Sequence, residues 1–112
     1  TLDPANARPF SELPIQTQIE YFFKIPVRQN KQEDLTGFRS SENDYIVVYC
    51  SKIGNIDVAM KFNMPYARDE LRRQLGINEG IIDNTRVNRT RRIGNYFCGS
   101  YSVDRDDVRR IN

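Results

Sequence analysis

Arg86, Arg89, Arg91 and Arg92 fall between Asn84 and Gly94, a stretch that contains no acidic side chain. Guanidinium groups at this density can pair with phosphates. Tyr96 and Phe97, just beyond them, can stack on bases, which is the usual chemistry for holding single-stranded RNA. The same residues also fit a solvated loop leading into a strand, with one of the two aromatic rings in the core and the other outside. Histidine, the ordinary proton-transfer residue near neutral pH, is absent from the whole chain. The cluster is therefore equipped for binding, and no residue is assigned a catalytic role.

Cys50 and Cys98 both lie in strand-like segments. In a small secreted domain they would form one disulfide, contributing about 2–4 kcal/mol; in a cytosolic protein they would be two buried thiols. Each is centred in a strand of what reads as one small sheet, so a Cys50–Cys98 bond is predicted. Two cysteines without histidine cannot complete an ordinary zinc site, so neither a metal nor another cofactor is implied. Asn88-Arg89-Thr90 matches the glycosylation sequon, a pattern short enough to recur by chance.

The chain has 112 residues, 38% hydrophobic and 29% charged, with a formal net charge of +2. That length suits one domain, 1–112, with a small core. There is no apolar run of about 18 residues, so no membrane span is expected. Thr1-Leu2-Asp3-Pro4 is not a signal peptide and reads as the start of a processed chain or a recombinant fragment.

Several elements must position these residues. Residues 1–14 carry Pro4, Pro9 and Pro14 and read as extended. From Ile15 to Arg28 apolar and polar residues alternate, which favours a strand, although Ile15, Ile19, Phe22 and Phe23 also fit one helix face. Gln29 to Asp44 reads as a long surface loop. Tyr45–Lys52, a turn at Ile53-Gly54-Asn55, and the alternation of Ile56, Val58, Met60 and Phe62 predict an antiparallel hairpin. Asn63 then reads as the cap of a helix over 65–75, with Pro65 in its first turn, Gly76 beyond its end and Ala67, Leu71 and Leu75 on its buried side. Residues 78–94 read as irregular or weakly helical, 95–103 as a strand, and Asp104 to Ile111 as a short helix. The predicted class is α+β: a small antiparallel β-sheet with one packed α-helix.

Tyr96-Phe97-Cys98-Gly99-Ser100-Tyr101-Ser102 followed by Val108 resembles the N-terminal strand and helix start of fungal guanyl-specific ribonucleases. It is also similar to the Tyr-x-Cys opening of the ribonuclease-like effectors secreted by powdery mildew fungi. The segment Tyr21–Val27 resembles that family's first catalytic strand, and Asp44–Tyr49 with Val58-Ala59-Met60 looks like its next two. In the family the Tyr-x-Cys motif opens the chain, whereas here it lies near the end. Either the order is circularly permuted, which adjacent termini tolerate, or the likeness is coincidental. The family's disulfide joins cysteines near both ends, a position Cys50 does not match.

The resemblance implies a ribonuclease-like fold whose enzymes use a glutamate base, an arginine on the phosphate and a histidine acid. The base would fall near Glu20 or Phe22, with Glu20 otherwise an exposed strand residue. Tyr45 stands where the arginine belongs, and Ala59, Met60 or Lys61 where the histidine belongs. With a reference pKa near 10.4, Lys61 would be a poor proton donor. The implied function is that of a catalytically inactive secreted effector, acting outside a host cell or delivered into it. Its partners would be host RNA, a ribosomal component or a host immune receptor, and its nucleic-acid contacts Arg86, Arg89, Arg91, Arg92 and Tyr96. A competing expectation is a helix-turn-helix DNA-binding protein, since Leu71 to Ile82 resembles that motif and Tyr101–Val108 the end of excisionase-type domains. Its recognition helix would contain Asp83, Asn84 and Thr85, all weak helix formers.

Overall fold

A computed structural model describes residues 9–52, 56–76 and 84–111; for Ser11, 56–62 and 109–111 the description covers the backbone alone. The class is α+β, as expected. After a short 3-10 helix (Phe10–Glu12) come α1 (Ile15–Phe23), β1 (Arg28–Gln29), β2 (Leu35–Ser40) and β3 (Asp44–Ser51). These are followed by α2 (Ile56–Leu75), β4 (Arg86–Ile93), β5 (Tyr96–Asp104) and α3 (Arg105–Ile111). The strands form one antiparallel sheet in the order β1-β2-β3-β5-β4.

The two central strands are covered on both faces, which is why they read as nearly continuous apolar runs. Along β3, Ile46, Val48 and Cys50 enter the layer beneath α1, with Ile19, Phe23, Ile93 and Tyr96. The alternate residues Tyr45, Val47 and Tyr49 enter the layer beneath α2, with Ala67, Leu71, Tyr101 and Val103. Cys50 and Cys98 are register partners on β3 and β5 and are bonded, with an S–S distance of 2.11 Å. The disulfide thus staples the two central strands inside the α1-side core.

Several expected elements are different. Residues 15–23 form a helix: Ile19 and Phe23 are buried while Thr17 and Tyr21 are exposed, a spacing of four that a strand could not give. The helix ends at Lys24, which adopts the left-handed conformation (φ 61°) and donates its N–H to the Glu20 carbonyl. Glu20 is therefore in the last turn of a helix rather than in a strand, and its carboxylate accepts the Val27 N–H at 2.9 Å.

The predicted 29–44 loop contains β2. Asn30 closes the turn before it, accepting the N–H groups of Gln32 and Asp34 on its side-chain oxygen. The 45–62 hairpin does not form. β3 pairs instead with β2 and β5, and residues 56–62 are the first turns of α2. The turn expected at residues 53–55 lies outside the described residues. Pro65 sits inside α2, and Asn63 is an interior residue of that helix rather than its cap. Residues 86–93, read as part of an irregular or weakly helical stretch, form an edge strand that, among the described residues, pairs only with β5.

Candidate nucleic-acid interface

β4 presents its arginines in two directions because its register with β5 fixes which face each occupies. Arg86, Arg89 and Arg91 stand opposite Ser102, Ser100 and Cys98, on the α1 face; Arg92 stands opposite Phe97, on the α2 face. The extra residue Asn88 forms a bulge between Val87 and Arg89, which places Arg86 and Arg89 on the same face despite their odd spacing.

These four cations have different surroundings. Arg86 donates to Asp104 at 2.8 Å and to Asp44 at 3.3 Å, so its charge is already matched by two carboxylates. Arg89 and Arg91 lie over the Phe22 ring, at 4.1 and 4.7 Å from its centroid. Arg89 also reaches the Phe22 carbonyl at 3.4 Å. Cations near the exposed carbonyls at a helix C-terminus complement its dipole. Lys24, just past that end, lies 4.2 Å above the Tyr21 ring, and Phe10 packs against Tyr21 with centroids 5.5 Å apart. Arg39 of β2 donates to the Lys24 carbonyl at 3.3 Å.

The result is an open cleft of about 400 Å³ lined by Phe10, Tyr21, Phe22, Lys24, Arg89 and Arg91. Its lining holds three cations, three aromatic rings and no carboxylate. Tyr21 is 63% exposed, so its ring is available to a ligand. Guanidinium planes held over an aromatic ring keep an outer face free for a base, while their N–H groups can reach phosphate oxygens.

The sequence-predicted set is thus divided. Arg89 and Arg91 belong to this cleft, Arg86 sits in an ion-pair cluster beyond it, and Arg92 is on the other face of the sheet. Tyr96 is only 8% exposed within the α1-side core, with Lys52 over its ring at 5.5 Å. Phe10, Tyr21, Phe22 and Lys24 were missed because they lie far from the arginines in sequence. The helix-face option for Ile15, Ile19, Phe22 and Phe23 carries a signal for Tyr21 alone, which it leaves outside; Phe10 lies before that helix, Lys24 just past it, and Phe22 on its apolar face.

A second cleft, of about 280 Å³, opens on the α2 face between Asn30, Lys31, Gln32, Tyr49, Tyr66 and Arg73, with Asp69 and Glu70 in its wall. Tyr49 and Tyr66 stack there at 5.5 Å, and the Tyr49 hydroxyl donates to Asp34 at 2.5 Å. Burial, then that hydrogen bond, hold the Tyr49 phenol well above its ordinary pKa. The two carboxylates make this cleft a poorer match for a polyanion.

The positions suggested for catalysis are otherwise engaged. Tyr45 stacks on Phe38 with Arg105 over its ring at 4.7 Å, and Ala59, Met60 and Lys61 lie on α2 rather than on a strand. The basic stretch that would follow a DNA-recognition helix is strand β4, and residues 77–83 of that motif lie outside the described residues. Among the described residues no cluster of potential metal ligands occurs, and no helix is long and apolar enough to cross a membrane. Comparison of the chain with family models, curated proteins and solved structures finds no match.

Proposed function

We propose that this protein is a secreted, ribonuclease-like binding protein that holds single-stranded RNA without cleaving it. The observation that carries this reading is the cleft between α1 and β4, where Lys24, Arg89 and Arg91 are interleaved with Phe10, Tyr21 and Phe22 and no acid intervenes. Phosphates pair with the cations, and bases stack on Tyr21 and on the outer faces of the guanidinium groups. The absence of histidine supports binding over turnover. The Cys50–Cys98 bond supports an oxidising, secretory origin.

The test is fluorescence anisotropy with a short labelled oligouridylate across about 50–200 mM salt. The Arg89→Ala/Arg91→Ala double variant should bind about tenfold more weakly or worse. Its salt slope should be lower by about 1.4, two phosphate contacts at roughly 0.7 each. Arg86→Ala should change little, because Arg86 is already paired with Asp44 and Asp104. Equal affinity of the double variant and the unsubstituted chain would sink the cleft as the site. Cleavage of the oligonucleotide at neutral pH would overturn the non-catalytic assignment.

A further inference from the structure

We propose that Asn88 is an N-glycosylation acceptor, and that its glycan covers the free edge of β4 on the same face as the arginine cleft. Asn88-Arg89-Thr90 is the only Asn-x-Ser/Thr in the chain, and its middle residue is not proline. Sequence alone gives such a match little weight, but its placement adds three independent observations.

Asn88 is the unpaired residue of the β4 bulge, so its backbone is outside the regular ladder and its side chain is exposed. Its Oδ1 accepts a hydrogen bond from Ser102 Oγ at 3.1 Å, leaving Nδ2, the atom that is modified, without a partner among the described residues. Finally, the Cys50–Cys98 bond fits passage through the oxidising compartment in which this modification takes place.

The chemistry is a group transfer from an oligosaccharide carried on a polyprenyl pyrophosphate. The Asn88 amide nitrogen bonds to the anomeric carbon, the carbon–oxygen bond to pyrophosphate breaks, and the amide proton passes to a base of the transferase. Polyprenyl pyrophosphate leaves. There is also a physical reason for a sugar here. From Arg86 to Arg92 every β4 residue is exposed, and among the described residues no strand pairs with its outer edge, whose backbone groups can pair with a passing strand. A bulky hydrated glycan at the bulge blocks that pairing. It also screens Arg89, whose side chain shares the face of Asn88, so glycosylated protein binds polyanions more weakly than bare protein.

The experiment expresses the full chain behind a secretion signal in eukaryotic cells and measures intact mass with and without peptide-N-glycosidase. The expected result is an excess of roughly 2 kDa that the enzyme removes, leaving residue 88 heavier by about 1 Da as aspartate. Thr90→Ser should retain the excess, while Asn88→Gln and Thr90→Ala should each abolish it. Secreted, disulfide-bonded protein with no excess mass overturns the proposal, as does an excess that persists in Asn88→Gln. RNA affinity is measured separately on unglycosylated protein from bacteria, so a failed binding assay and a failed modification are distinguishable.

Discussion

Asn63 sits in α2 with no exposed surface, and it connects that helix to the sheet through polar contacts in an apolar layer. Its Oδ1 accepts from Ser51 Oγ at 2.6 Å, and its Nδ2 donates to the Phe97 carbonyl at 3.1 Å. The identity of the residue was plain in the sequence, but its job was not: an asparagine two positions before a proline reads as a helix cap. Only the pairing of β3 with β5 brings Ser51 and Phe97 together beneath it. Asn63→Ala removes these contacts from the buried layer and should cost about 1–3 kcal/mol, read from urea denaturation. A loss below about 0.5 kcal/mol would show that water replaces the amide. Gly99 has a related constraint. A Cβ there would lie 2.5 Å from the Tyr101 hydroxyl oxygen and 2.7 Å from its Cζ, so Gly99→Ala must displace a buried ring and should cost about 1–3 kcal/mol in the same assay.

The elements that sequence reasoning recovered are β3, β5 and α3, together with the 65–75 part of α2. β3 and β5 are apolar enough to declare themselves because both of their faces are covered, and their pairing explains why Cys50 meets Cys98. The misread elements have physical reasons of their own. β4 is a polar edge strand whose extended form comes from pairing with β5 rather than from any alternation of its own. In α1, β-branched and aromatic residues raise strand propensity, yet burial at Ile19 and Phe23, with half-buried Ile15 packed beside them, overrides it. Half of the candidate site's lining comes from the α1 end, so a strand reading of 15–28 hides it. One substitution separates the two states by sign. Thr17 is exposed on α1, so Thr17→Ala should stabilise the protein by about 0.5 kcal/mol through helix propensity. In a strand the same change would destabilise. Thermal denaturation of the variant reads the sign directly, and a lowered Tm would contradict the helix.

At the scale of the whole molecule, stability depends on a small two-layered core, one covalent staple and, in alkali, the buried phenols of Tyr49 and Tyr101. The disulfide spans a sequence separation of 48. Loop-closure entropy for that separation is worth about 4 kcal/mol at most, a large share of the roughly 5–15 kcal/mol typical of a domain. Reduced protein should therefore unfold at clearly lower urea concentration, and equal midpoints with and without reductant would show that sheet pairing alone suffices. The phenols set the response to alkali. Burial raises Tyr101 to about 12, with the Asn63 hydrogen bond pulling the other way, and burial with the Asp34 hydrogen bond raises Tyr49 further still. In the unfolded chain both would ionise near pH 10. Between there and about pH 12 the folded state binds more protons than the unfolded state, so stability is intact below about pH 10 and falls as pH rises through this window. Each phenol contributes up to about 1.4 kcal/mol per pH unit to that fall. Urea midpoints measured from about pH 8 to 11 should show the decline. Tyr49→Phe and Tyr101→Phe should each shift the absolute stability yet flatten its pH dependence, because phenylalanine has no proton to lose. An unchanged alkaline slope in the double variant would mean that other groups drive the transition.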